Sequence, residues 1–274
     1  MKQSGKKLLT MILVIVFLFS AGMFLKQQLA YASGNDSYTE ALALATSHNE
    51  PAKPTLPAEV PTEPELTWVP APVEEEDPHI QTLEEMDLEA LRAVNPDVIG
   101  WILIPDTKIN YPLMQGTDND FYLKHTWDGK SNGVGSIFLE YMNLPDLTDF
   151  NTIVYGHNMS NGSMFAGIRQ YANQTFWDAH PYIYVRRGQE VYRYEVFSSY
   201  LADVDSFTYD LLFSTEEARE QFIASTMTAS VIPSDVQPEV NDRILTLSTC
   251  SGRGYSTRWV VHARLKMIQV QASD

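Results

Sequence analysis

The chain has 274 residues, 44% of them hydrophobic, a formal charge of −16 and a single cysteine. One cysteine excludes an intramolecular disulfide, and the acidity excludes the basic footprint of a nucleic-acid-binding protein. The charge is unevenly spread: residues 1–33 hold four lysines and no acid, whereas residues 34–90 hold fourteen acids against one lysine.

Lys2, Lys6 and Lys7 precede residues 8–25, eighteen positions without a charge. As a helix this run would extend about 27 Å, close to the roughly 30 Å of a bilayer's hydrocarbon core. It reads as a transmembrane anchor, with residues 1–7 as a cytoplasmic tail and the bulk of the chain outside. A cleaved secretory signal is the competing reading, because Ala30-Tyr31-Ala32 has the small-x-small form of a cleavage site. The apolar run is longer than the roughly 7–15 residues of a signal core, which favours the uncleaved anchor. Residues 26–77 read as an acidic, proline-rich linker, extended from about residue 33 onward. Eight of the fifteen prolines fall between positions 51 and 78, beside the run Glu74-Glu75-Glu76-Asp77. Such a composition buries no core and implies a self-repelling tether that would hold the folded part tens of ångströms from the membrane.

The folded domain is expected over residues 78–274. Leu83, Met86, Leu88, Leu91 and Val94 share a helical face, which Asn95-Pro96-Asp97 terminates. Short strands then follow near 98–104, 108–113, 135–140, 151–155, 182–187, 190–201, 243–249 and 258–270. With few long helices between them, they predict an antiparallel barrel or sandwich. One helix interrupts, with Ser214 read as its cap and Glu217 three positions on. It lies in the long connection before the strand that ends at Cys250.

That strand, Arg243-Ile244-Leu245-Thr246-Leu247-Ser248-Thr249-Cys250, is apolar and β-branched, and it delivers the only cysteine to its C-terminal end. The loop Ser251-Gly252-Arg253-Gly254-Tyr255-Ser256-Thr257 turns the chain into a strand opening at Arg258. Taken alone, a lone cysteine is better explained as a small buried hydrophobe. A reactive one needs a group that manages protons and a donor where negative charge develops. Among six histidines, His157 follows the buried strand Thr152-Ile153-Val154-Tyr155-Gly156 and so shares the strand-end placement of Cys250. His262 lies mid-strand, where a structural imidazole is expected. If the last two strands pair antiparallel, Arg258 returns beside Cys250, although spacing alone would equally suit a surface ion pair.

Thr246-Leu247-Ser248-Thr249-Cys250, Arg258 and Tyr155-Gly156-His157-Asn158 resemble the Cys–His–Arg signature of sortases. Asn95-Pro96-Asp97-Val98-Ile99-Gly100-Trp101, Tyr111-Pro112, Gln115-Gly116-Thr117-Asp118-Asn119-Asp120, Gly135-Ser136-Ile137-Phe138 and Gly162-Ser163-Met164-Phe165 extend the resemblance, in order, to class B. It implies a mainly β fold, a closed eight-stranded sortase-type barrel with N-terminal helices and one helix before the cysteine strand. It also implies cysteine transpeptidation at the surface of Gram-positive bacteria. The partners would be secreted proteins bearing a C-terminal sorting signal, and a peptidoglycan peptide amine or pilin lysine as acceptor. By the same resemblance Cys250, His157 and Arg258 are catalytic, and Asn119, Leu123, Ser248 and the Ser251 backbone contact substrate. No cofactor, metal or nucleic acid is expected. The loop 251–257 departs from the class in its shortness and lack of acidic residues.

Three other readings compete. An L,D-transpeptidase would place Ser-His-Gly before its cysteine, where this chain has Leu247-Ser248-Thr249. A papain-like hydrolase would put cysteine before histidine. A membrane-tethered binding module would hold Cys250 as an inert structural thiol.

Overall fold

The computed structural model describes residues 2–47, 77–250 and 256–270. Helix α1 (Lys2–Thr46) is followed, after the proline-rich stretch, by two short helices, α2 (Pro78–Glu84) and α3 (Leu88–Val94). The single helical face expected from residue 80 is thus broken. Asp87 accepts a hydrogen bond from Ala90 N and caps α3, so the chain restarts the helix instead of continuing it.

Eight strands follow: β1 (Val98–Leu103), β2 (Asn110–Met114), β3 (Ile137–Leu139), β4 (Asn151–Gly156), β5 (Tyr182–Arg187), β6 (Glu190–Asp203), β7 (Ile244–Cys250) and β8 (Thr257–Val270). They close into a barrel in the order β1-β2-β3-β4-β7-β8-β6-β5, with β5 pairing back onto β1. Two pairs, β2–β3 and β4–β7, run parallel, so the barrel is mixed where an antiparallel one was expected. Parallel neighbours need a crossover, and the chain supplies it between β4 and β7 with α4 (Gln174–Ala179), β5, β6 and α5 (Glu216–Ala229). The cap of α5 is Thr215, whose hydroxyl accepts from Ala218 N, one residue beyond the expected Ser214.

Trp101, Ile102, Phe138, Leu139, Val154, Leu245 and Leu247 are buried in the main core. Each buried side chain of this size stabilises the fold by about 1.5–3 kcal/mol. The guanidinium of Arg186 on β5 is buried too, and it donates to the carbonyls of Leu83, Glu84 and Met86. These carbonyls lie at and just beyond the end of α2, and the arginine fastens that end of the helix to the barrel.

Residues 33–46, expected to begin an extended tether, are instead the last turns of α1. The reason is a stripe that composition averages away. Tyr38, Ala41 and Ala45 recur at helical spacing and are buried in the barrel's own core cluster, with Leu42 packed against it. The Tyr38 ring meets Tyr111 of β2 edge-on at 5.1 Å, and Ala45 O accepts from Asp87 N at 2.7 Å. At the far end of the proline-rich stretch Asp77 is also held, by the Tyr184 hydroxyl at 2.7 Å and Arg193 at 3.2 Å. Both flanks of that stretch are therefore docked on the same barrel. The extended conformation expected for residues 48–76 lies outside the described residues.

The N-terminal part of α1 is different. Large apolar side chains from Leu9 to Leu29 stand exposed, Phe17 and Phe19 at 71% and 70%. Among the described residues, α1 is the one helix long and apolar enough to cross a membrane.

Candidate active site

The parallel β4–β7 pairing carries two chain segments to one end of the barrel. Its last partners are Gly156 and Thr249, so the next residue on each strand is His157 and Cys250. On the other side of β7, Cys250 is the direct partner of Arg258. The antiparallel return expected for Arg258 is thus observed, and His157 and Cys250 leave adjacent strands at the same rim. For Cys250 the description covers the backbone; Ser251 lies outside the described residues.

A groove of about 340 Å³ opens at this rim, and Asn119, Leu123, His157, Ser248 and Arg258 all line it. Five of the seven residues singled out from the sequence therefore share one cavity.

Two glycines let the imidazole sit where it does. At Gly156 a Cβ would lie 2.5 Å from Ile137 Cδ1 and 2.7 Å from the Phe165 ring, so no larger residue fits the strand end. Gly135 has φ +64°, and a Cβ there would come within 2.8 Å of His157 Cδ2 and of Tyr122 O. The backbone of His157 is fixed by Phe165 N, which donates to its carbonyl at 2.9 Å. Its Nε2 lies 2.7 Å from Leu123 O. A carbonyl only accepts, so Nε2 carries a hydrogen and, in the neutral ring, Nδ1 is the basic nitrogen.

Sequence reasoning missed the polar wall behind the groove. Glu140, buried at the end of β3, accepts from Asn119 Nδ2 at 2.6 Å and from the Tyr155 hydroxyl at 2.9 Å. Asn119 Oδ1 in turn accepts from Tyr141 N at 3.1 Å. Burial, followed by the Glu140 carboxylate, pushes the Tyr155 phenol well above its ordinary range, with the Arg258 charge pulling the other way. Tyr155 is therefore a neutral donor. Ser248 is the β7 partner of Tyr155, and its hydroxyl lies 2.9 Å from that of Tyr209, whose ring stacks on Tyr155 at 6.5 Å. Tyr155 stands two positions before His157, the period of a strand face, and that was the available signal. Nothing local in the sequence marks Glu140 or Tyr209.

His262 is the contrasting case. It is fully buried, with Nδ1 at 2.9 Å from Thr246 Oγ1 and Nε2 at 3.1 Å from the Tyr200 hydroxyl. Thr246 spends its own hydrogen on Asn151 Oδ1, so His262 donates through Nδ1 and accepts through Nε2. Burial pushes its pKa down to about 3. In the unfolded chain an imidazole titrates near 6.5, so the stability of the neutral folded form is complete above that pH and is lost as pH falls towards 3. At pH 5 the loss attributable to this residue is on the order of 2 kcal/mol. Urea unfolding of the native chain and of His262→Gln at pH 7.5 and pH 5 should show a smaller pH dependence in the variant. Equal pH dependence would remove His262 as the cause.

A sortase-domain family model matches residues 102–266. Sortase B of Listeria monocytogenes is 40% identical over 164 residues, which span 60% of this chain and 67% of that protein. The solved Staphylococcus aureus sortase B–substrate complex is similar, with a TM-score of 0.62 at 34% identity, covering 65% of this chain and 83% of that one. A structure of sortase B complexed with triglycine gives the same TM-score of 0.62 at 34% identity, covering 68% and 86%. Fold and sequence agree: the chain belongs to the class B sortases and is a cysteine transpeptidase.

Proposed function

We propose that the chain cleaves a C-terminal sorting signal after its threonine and transfers the new carboxyl end to a cell-wall amine. The observation that carries this reading is the register of β7, which sets Cys250 opposite Arg258 and beside the strand that ends at His157. The Cys250 thiolate adds to the threonine carbonyl, and the carbonyl electrons move onto oxygen. Arg258, with the Ser251 N–H, holds that oxyanion. Collapse breaks the C–N bond, and His157, through Nδ1, gives its proton to the departing amine. The thioester so formed is attacked by an incoming amine, which loses its proton to the same imidazole, and Cys250 leaves as thiolate. Asn119, Leu123 and Ser248 contact the signal peptide along the groove. Tyr155 and Glu140 hold Asn119 in place.

The acceptor is a peptidoglycan peptide amine, with a pilin lysine as the alternative. The triglycine found with a solved sortase B favours an amine on a short unbranched peptide. Residues 1–7 lie in the cytoplasm, residues 8–25 cross the membrane, and the catalytic domain is extracellular. Docking of α1 on the barrel makes that helix the connection to the membrane. From residue 25 to Ala30, whose carbonyl accepts from Asn132, is five residues, or about 8 Å of helix. The domain then sits close to the membrane surface, not tens of ångströms from it.

The test is turnover of the full chain in detergent with a panel of peptides, Asn-Pro-x-Thr and Pro-Pro-x-Thr-Gly types included. Triglycine, a peptidoglycan stem peptide and a lysine-bearing peptide would serve as acceptors. Ligation of at least one pair, with the bond made after threonine, is expected. Cleavage at another residue, or none across the panel, would overturn the reading.

A further inference from the structure

The barrel-proximal half of α1 runs along the loop that contains Gly135. A Cβ on Gly34 would stand 2.7 Å from Val134 Cγ2, so helix and loop are in close contact. Trp127 Nε1 donates to Ser37 O at 2.9 Å, and Asn132 Nδ2 donates to Ala30 O at 3.2 Å. Tyr31 also shares a hydrogen bond of 3.1 Å with Ser160, in the segment after His157. The most buried of these ties is the Tyr38 hydroxyl, which donates to Gly135 O at 2.5 Å and lies 3.2 Å from Ser136 Oγ.

Gly135 is the residue on which the edge of the His157 ring rests. Its carbonyl is pulled toward α1 by Tyr38, and its Cα side faces His157 Cδ2 closely enough that no Cβ fits. The ring's further restraint is Leu123 O, and the same loop is tied there, since Ser136 N donates to Tyr122 O at 2.8 Å. A shift of the Gly135 backbone therefore reaches both the packing surface and the hydrogen-bond acceptor of one imidazole.

We propose that Tyr38 is a positioning residue for His157, acting through the Gly135 carbonyl, so that the helix rising from the membrane completes the active-site scaffold. The proposal rests on His157 as the proton carrier. Tyr38→Phe removes only the hydroxyl, since the ring keeps its contact with Tyr111. The helix stays docked while Gly135 O loses its donor, and the imidazole loses a fixed support.

The readout is independent of substrate: the rate at which iodoacetamide alkylates Cys250 across pH 5–10 in the full chain, read with the melting temperature. An imidazole held beside a thiol lowers the thiol's pKa and raises its reactivity near neutral pH. Tyr38→Phe is expected to alkylate about fivefold more slowly at pH 7, with its profile moved toward that of His157→Ala and melting within a few degrees of native. Tyr192→Phe serves as control, because it removes the hydroxyl of another buried tyrosine, whose partner is Glu190 on β6; its profile should match the native one. A Tyr38→Phe profile superimposable on the native, or an equal shift in Tyr192→Phe, overturns the proposal while leaving His157 in its role. A native profile in His157→Ala would instead remove the reading on which it rests.

Discussion

With Cys250 replaced by alanine, ligation is expected to fall to background for every peptide and amine that the native chain joins. The loss should be roughly 10⁴-fold or more, because a thioacyl intermediate needs a thiol. The chain has no second cysteine to substitute. Cys250 is the last residue of β7, so the truncation leaves the strand pairing, and melting should move by only a few degrees. The measurement is product formation by mass spectrometry beside a thermal melt. Activity above about one per cent in a folded variant would place the nucleophile elsewhere.

Arg258→Ala should lose about 10²–10³ in kcat/KM, the usual consequence of deleting a donor aimed at an oxyanion. Strand register sets Arg258 across from Cys250, so its charge is delivered by β8 itself. Arg258→Lys should recover only part of the loss, since an ammonium is a point charge without the planar fork of a guanidinium. Steady-state kinetics of both variants check this, and near-native activity of the alanine variant would remove Arg258 from the mechanism.

The barrel was legible because its strands are short, apolar and separated by turn residues, and the eight expected segments coincide with the eight observed. The meeting of His157, Cys250 and Arg258 was legible for a related reason. Two of them end or follow a buried strand, and the third opens the strand that returns. The parallel pairs were not, because periodicity reports which residues share a face and not which strand lies alongside. Both β2–β3 and β4–β7 arise from long-range pairing.

Residues 33–46 were misread for a different reason. Ser33, Asn35, Asp36, Ser37 and Glu40 make the first half of that segment polar, yet three small or aromatic side chains at helical spacing decide its fate through burial. Likewise Glu140 reads as an ordinary strand-end carboxylate. Its burial beside Asn119 and Tyr155 emerges only when segments 15 to 21 residues away close over it. Composition sees neither, since both depend on contacts made across the fold.

The most direct test of a thioacyl mechanism at this rim is to quench the full chain with acid during turnover of a sorting peptide and map the adduct by tandem mass spectrometry. A thioester on Cys250 that ends in the peptide's threonine, and that disappears when triglycine is added before the quench, is the expected result. Ligated product formed with no adduct on Cys250, or with the acyl group on another residue, would contradict it.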